Sequence, residues 1–482
     1  MQNVSVLKAG SLAVHRPKVI TKQLAVQSTS VGRRLTLSSN WLMLMGFSDS
    51  LVVEKSLGKN KGFEVTHATE EDIDNKKAKK VYIREYTSRS ANPLNPVLKR
   101  KERLIQVTKK DLMQIALGGV NRVHVQIMPN RVVFTPIFEG ESYNIEDNDN
   151  ISTLVALTGG VDCHTMEKQG FSIKAALEFR PNEKRDSADY TEMTSMSVLA
   201  NSKPELLFNE NIYDVQPQVL KKIVGTRKIS FAHFSLSCDD FSALKTNSLK
   251  QKSVDDMSST IDMFIPMLSI LDVLDIPTLL IENVPGFKNS IINDVLLLQL
   301  KRRGFKVNQD VFDARRVGSG NTSRKRFYMF ASKLDAEFSF PALEENKSDV
   351  WNDIILPNWA EIEKKEVTGN KTVTSSLSCG RARLIKEGDK TAPTITRAQS
   401  QDSKDAVVIK KDDRYYRLPI VVQKMLNSIP TDFNTDWLPV DKAAQIIGQS
   451  ICCSLHGKIL NSVKAHFESY KLNQRLASLT PI

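Results

Sequence analysis

The chain has 482 residues with 67 Lys+Arg against 55 Asp+Glu, a formal net charge of +12. At about 150 residues per domain this length allows roughly three domains, and hydrophobic and charged fractions of 41% and 25% exclude wholesale disorder. No apolar run approaches the roughly 20 residues that span a bilayer. The start, MQNVSVLKAGSLAVHRPKVI, lacks the order of a secretory signal, and five scattered cysteines build no disulfide framework, so the expected setting is a reducing cytoplasm.

In chain order, residues 1–30 lack periodicity and read as a flexible arm. RLTL is then strand-like, SSNWLMLMGF reads as a Ser-capped short helix with a small Met-rich core, and LVVEKSL with GFEVTHA makes a hairpin around GKNKG. EEDIDNKKAKK at 70–80 reads as a charged linker. RLIQVTKKDLMQIALGG repeats the strand and short helix, and VNRVHVQIM and RVVFTPI form a second hairpin at Pro129-Asn130. At an offset of 70 residues Leu35 falls on Ile105, Leu37 on Val107 and Leu42-Met43 on Leu112-Met113, an internal repeat. Residues 1–130 hold 22 Lys+Arg and 10 Asp+Glu, so all of the net +12 sits here and the remainder balances. Such asymmetry points to a polyanionic partner; the basic residues lie among strand-like segments rather than along an amphipathic helix, which argues against a membrane surface.

A polar hinge, GESYNIEDNDN, closes this region at 140–150. Apolar runs then alternate with helical stretches, the pattern of an α/β domain. Strands are expected at Thr153–Leu157, Ile173–Glu178, Ile229–Ser235, Thr278–Glu282, Lys306–Asp313 and Arg326–Ala331. Residues 333–412 are polar and loop-rich, and helical periodicity returns after Leu418.

Three segments carry chemistry. HFSLSCDDFS places Cys238 just after a strand; alone, a cysteine is more often a buried core residue than a nucleophile. PTLLIENVPGF ends a buried strand in Glu282-Asn283, where an acid points into the crevice of an α/β sheet or caps a helix. GSGNTSRKRFYMFA puts Arg324 and Arg326 on one side of a strand by period two. No HExxH, spaced zinc pair, Walker loop or Ser/His/Asp signature is present, and no metal is expected.

In this order and spacing the three segments resemble the DNA (cytosine-5)-methyltransferase family over residues 150–482. TLVALTGGVDCHTMEKQGFSIKAALEFRP is similar to that family's Gly-rich first loop and strand-end acid, and TAPTITR, RYYRLPIVVQKMLNSIPTDF and AAQIIGQSICCSLHGKIL to its closing motifs. The resemblance implies an α/β, Rossmann-like class I methyltransferase domain over 150–332, a target recognition domain over 333–412 and motifs over 413–482 that return to the large domain. The expected activity is transfer of a methyl group from S-adenosyl-L-methionine to carbon 5 of a flipped cytosine in double-stranded DNA, in a bacterial, phage or mobile-element setting. An inactive DNA-binding relative and a tRNA-methylating branch remain alternatives. On the same terms, residues 31–140 resemble tandem AbrB- and SymE-like swapped-hairpin modules, which implies DNA engagement or homodimerisation.

The resemblance assigns Cys238 as the thiolate that adds to carbon 6, Glu282 as the carboxyl at ring nitrogen 3, Asn283 as its support, and Arg324 and Arg326 as ligands of the base carbonyl and cysteine loop. It assigns Gly159, Gly160, Glu178, Phe179, Asn211, Ile212 and Gln449 to the cofactor. The sequence departs from the family in five places. Pro-Cys-Gln is Ser237-Cys238-Asp239, which frees a loop that proline would restrict and sets an acid beside the thiol. Asn211 replaces the acid of the adenine turn, Thr322 the glutamine of Gln-x-Arg-x-Arg, and Gln449 an asparagine, and the first loop has two glycines where three are common.

Overall fold

The computed structural model describes residues 6–9, 12–15, 17–39, 41–48, 50–85, 91–92, 95–99, 101–137, 143, 145, 150–181, 186, 188–241, 247–316, 320–342, 344, 346–400 and 403–479. The chain divides into two compact units, Met1–Glu141 and Ser142–Ile482. The 140–150 hinge lies mostly outside the described residues.

The first unit is built from antiparallel sheets around one apolar core that includes Leu37, Met45, Phe63, Val107, Met113 and Phe134. The order strand, short helix, hairpin occurs twice: Gly32–Ser39, Trp41–Leu44, Leu51–Ser56 and Phe63–His67, then Lys101–Val107, a π-helical turn at Leu112–Ala116, Arg122–Met128 and Arg131–Ile137. The two first strands pair antiparallel with Thr36 opposite Gln106, flanked by Leu35 opposite Val107 and Leu37 opposite Ile105. At the repeat offset, this register maps onto itself. Each hairpin tip also reaches the other copy's helix: Asn60 N donates to Ile115 O (3.0 Å) and Gly62 N to Ala116 O (2.8 Å), while Asn130 N donates to Met45 O (2.8 Å). Each copy's hairpin thus touches the other copy's helical turn within one chain.

Two expectations change here. Part of the presumed arm is ordered, since Ile20–Ala25 adds to the second hairpin as a strand opposite Arg122–Ile127. Its alternation of half-buried and exposed residues is too polar to stand out in sequence. The presumed linker contains a helix, Glu70–Asp74, because Thr69 and Asp72 form a reciprocal capping box, and Lys79–Lys80 then extends the sheet edge.

The second unit holds a seven-stranded sheet in the order Leu206–Phe208, Phe171–Leu177, Ile151–Ala156, Phe231–Ser235, Thr278–Asn283, Lys325–Ser332, Lys306–Asp313. The first five are parallel, Lys325–Ser332 runs antiparallel to them, and Lys306–Asp313 pairs antiparallel with it and so runs in the direction of the five. Buried β-rich runs explain them: all six residues of Thr278–Asn283 are buried, as a strand covered on both faces requires. The six expected strands all form, within two residues at each end. Leu206–Phe208 is additional.

Chain order reverses between the strands Ile151–Ala156 and Phe231–Ser235, the switch point at whose carboxyl edge α/β sheets open a crevice. The helix Cys453–Leu479 returns to this sheet and buries Leu455, Ile459, Val463 and Phe467 against Phe231 and Phe330. A smaller body is formed by the sheet Arg383–Ile385, Val407–Lys411, Arg414–Arg417 and the helical turns from Trp351. Its core joins Trp351 and Ile362 to Tyr416, Leu418, Val422 and Leu426, so it runs past the expected boundary at 412. Among the described residues, no helix is long and apolar enough to cross a membrane.

Candidate active site

Four parallel strands end on one edge, and their following residues converge on a cavity of about 370 Å3. It is lined by Gly159, Glu178, Phe179, Cys238, Glu282, Arg326 and Gln449 among the residues expected from sequence.

On the cofactor side, Gly159 and Gly160 turn the chain with φ of +66° and +95°, left-handed values suited to glycine. A Cβ on Gly159 would project into open space, whereas one on Gly160 would strike Ser197 Oγ at 2.9 Å. The first glycine therefore keeps room for a ligand and the second seats the loop on a helix. Glu178, 1% exposed, accepts from Thr158 N (2.7 Å), Thr158 Oγ1 (2.9 Å) and Gly159 N (3.2 Å). Burial pushes its pKa up to about 7 against these hydrogen bonds.

For an acid with a raised pKa, the folded chain binds the proton more tightly than the unfolded one, so the stabilisation is present at low pH and lost as pH rises. The window runs from the ordinary 4.5 to about 7 and carries on the order of 3 kcal/mol. The ligand-free chain is expected to lose melting temperature across this window, and Glu178→Gln to flatten that slope; thermal melts at stepped pH read it.

On the chemical side, Cys238 is half-buried at the end of the Phe231–Ser235 segment. Burial pushes its thiol pKa up, Arg326 opposes this, and Asp239 and Glu282 add to it. Glu282 Oε1 pairs with Arg326 Nε at 2.6 Å, and its Oε2 accepts from Ser235 Oγ at 2.8 Å. Asn283 is buried and spans two loops: its Nδ2 donates to Leu236 O (3.1 Å) and its Oδ1 accepts from Val284 N (2.8 Å). A Cβ on Gly286 would meet Phe241 O at 2.3 Å, so ENVPGF and the cysteine loop touch backbone to backbone.

Five expected residues stand away from the cavity lining. Arg324 precedes its strand, is 1% exposed, and donates to Ile395 O (3.0 Å) and Gly448 O (3.1 Å). Burial, then Arg326, lowers its pKa to about 9. It acts as a strap, because the strand itself begins only at Lys325 and Arg324 lies buried before it. Asn283 likewise supports the site from behind it, as the family resemblance implies. Gly160 faces Ser197. Asn211 caps its own turn by accepting from Tyr213 N (3.2 Å), and Ile212 packs into the apolar core below the sheet. Arg324, Gly160, Asn211 and Ile212 thus lie outside the cavity lining.

Sequence reading missed Arg397 and Gln445, which line the cavity, and Thr194, which also lines it and whose buried Oγ1 has no hydrogen-bond partner among the described residues. It also missed Arg180, bonded to Asp186 (2.6 Å), which in turn accepts from Lys442 (2.5 Å). Among the described residues, Asp162, His233 and His456 could hold a metal ion, with ligand atoms within 4.8 Å of one another. The Asp162 Oδ2–His233 Nε2 contact of 2.7 Å already engages two of these groups, and His456 Nδ1 meets Tyr328 Oη at 3.3 Å. Burial lowers the His456 pKa to about 3, so this imidazole is neutral.

A doubly covered α/β sheet with a Gly-rich turn, a strand-end acid and a cysteine facing a carboxyl–guanidinium pair defines a methyltransferase. Residues 154–465 match the family model of C-5 cytosine-specific DNA methylase, and the chain belongs to that family. A tRNA (cytosine(38)-C(5))-methyltransferase of Spodoptera frugiperda is 29% identical over 167 residues, 34% of this chain and 47% of that protein. The chain thus matches about half the length of this curated relative. A DNMT2 mutant structure from Spodoptera frugiperda superposes with a TM-score of 0.50 at 17% identity over 65% of this chain and 99% of the other. The Entamoeba histolytica methyltransferase EhMeth gives 0.50 at 15% identity over 66% and 98%. These structural likenesses concern the fold.

The family takes its methyl group from S-adenosyl-L-methionine, and the cavity suits it: its volume lies in the range of small-molecule sites, the space over Gly159 is open, and the Thr194 hydroxyl awaits a partner. Glu178 would take the ribose hydroxyls and Phe179 the adenine. Bound there, the molecule supplies an electrophilic methyl group.

Proposed function

We propose that this chain methylates carbon 5 of cytosine in double-stranded DNA through a covalent Cys238 adduct. The observation that carries the reading is the presence of Cys238, the Glu282–Arg326 pair and the Gly159–Glu178 loop in one cavity. Carbon 5 of cytosine is a weak nucleophile. Addition of the Cys238 thiolate to carbon 6 converts the ring to an enamine, and the Glu282 carboxyl faces ring nitrogen 3, where charge develops. Arg326 holds that carboxyl and lowers the cost of the thiolate. The target base must leave its stack to reach the thiol, at a cost of about a few kcal/mol.

The concentration of net charge in residues 1–130 supports a role for the first unit in phosphate binding, which adds affinity without reading sequence. Removing residues 1–141 is expected to weaken DNA binding and flatten its dependence on salt, while leaving the methylated sequence unchanged; titrations at two salt concentrations check this. The hairpin-to-helix contacts between the two copies within the chain support a monomer over the homodimer that such modules form between chains, and the sedimentation mass reads the difference.

The tRNA-methylating relative favours RNA as a second reading. Bisulfite sequencing of both DNA and tRNA from cells expressing the intact chain and Cys238→Ser separates the two. Methylated cytosines in a repeated DNA context, absent from the variant, support the proposal. Marks confined to tRNA overturn the substrate. A soluble chain that leaves both unmarked favours a nucleic-acid-binding relative without turnover.

A further inference from the structure

Four carboxylates line the cavity: Asp162, Glu178, Asp239 and Glu282. Three are committed. Asp162 bonds His233, Glu178 bonds Thr158 and Gly159, and Glu282 bonds Arg326 and Ser235. Asp239 is exposed to the cavity, and among the described residues its side chain makes no hydrogen bond or ion pair. It is nonetheless fixed in place by its neighbours. Asp240 is buried and accepts from Thr260 N (2.8 Å) and Ser259 Oγ (3.0 Å), Phe241 N closes a turn onto Cys238 O (3.1 Å), and the Phe241 ring packs on Phe287. A free carboxylate is thus held beside the nucleophile.

The reaction has an unassigned proton. The thiolate and the methyl donor attack adjacent ring carbons perpendicular to the ring plane, and one face has no room for both. They approach from opposite faces, and the hydrogen of carbon 5 is left on the sulfur face. A base that removes it must stand on the side of Cys238. Glu282 is tied at the ring edge, and Glu178 is tied to the cofactor loop.

We propose that Asp239 is the catalytic base that removes the carbon 5 proton and releases the product, an assignment that rests on the methyltransferase reading above. The C5–H bond breaks, and as its electron pair forms the C5–C6 double bond the C6–S bond breaks and its pair leaves on Cys238 as thiolate. The proton resides on the Asp239 carboxylate, whose exposure lets water carry it away. Glutamine, the family's residue at this position, has no comparable basicity. Here the acid that raises the thiol pKa therefore has a use in the second half of the cycle.

The test uses the full chain and Asp239→Asn with two probes, each in DNA and in RNA. 5-Fluorocytosine has no carbon 5 proton and traps the Cys238 adduct after methyl transfer, so its capture needs no base. Ordinary cytosine exchanges its carbon 5 hydrogen with deuterated water in the absence of S-adenosylmethionine, through addition of Cys238 and removal of a proton. Asp239→Asn is expected to keep fluorocytosine capture and to lose about 100-fold in exchange rate, the scale of general base catalysis. Exchange at the wild-type rate overturns the assignment, and so does loss of capture together with exchange, which would place Asp239 in the addition step. A wild-type chain that captures neither nucleic acid overturns the methyltransferase reading itself, and this assignment with it.

Discussion

Glu282→Gln is expected to cut steady-state methyl transfer by about 10^2 to 10^4-fold, the range seen when one positioned acid or base is removed. The fold should survive. Glutamine fits the 6%-exposed site, its amide oxygen can face Arg326 Nε and its NH2 can donate to Ser235 Oγ. What it cannot do is take and return a proton at ring nitrogen 3, so enamine formation loses its charge compensation. The signature is therefore selective: melting temperature and S-adenosylmethionine affinity near wild type, with slow capture of 5-fluorocytosine and slow turnover. Cys238→Ser should abolish capture outright, because an alkoxide is far less available than a thiolate. A Glu282→Gln chain with wild-type turnover would refute the role assigned to this carboxyl.

The cavity's chemical half was legible because it depends on local order. A buried apolar strand ending in Glu-Asn, a cysteine after a strand and an arginine at the start of another strand each land at the sheet's carboxyl edge, and the α/β topology brings those edges together. The cofactor half was legible where a glycine or a strand-end acid marks it, while the two residues assigned by position alone lie outside the cavity lining. Asn211 satisfies its own turn, and Ile212 answers to the core. Long-range polar pairs left no sequence signal. Arg180, Asp186 and Lys442 meet across 256 residues between the last two, and Thr194 reaches the cavity from a helix without any motif. In the first unit, the repeat offset made Leu35 and Ile105 equivalents, but the antiparallel register that sets Leu35 opposite Val107 is not contained in an offset. The helix at Glu70–Asp74 was hidden by its charge, although Thr69 and Asp72 already spelled its cap.

Arg324 shows how a motif residue can be essential without touching a ligand. Its guanidinium holds two carbonyls, Ile395 O in the loop before Arg397 and Gly448 O at the end of the helix Val440–Gln449, and Arg397 and Gln449 both line the cavity. Arg324→Met is expected to recover some of the cost of burying a charge but to leave both acceptors without their donor, at about 1–3 kcal/mol each. The net result is a loss of roughly 3 kcal/mol and a clear fall in melting temperature. Activity should fall mainly through a higher KM for S-adenosylmethionine, because Arg397 and Gln449 lose their anchor. Arg324→Lys, which keeps a donor without the planar fork, should lie between wild type and Arg324→Met in both readouts. A base-contacting Arg324 would behave in the opposite way: kcat would fall in both variants at unchanged melting temperature and unchanged cofactor affinity. Thermal melts paired with a split of kcat from KM therefore decide whether this arginine holds the site together or acts within it.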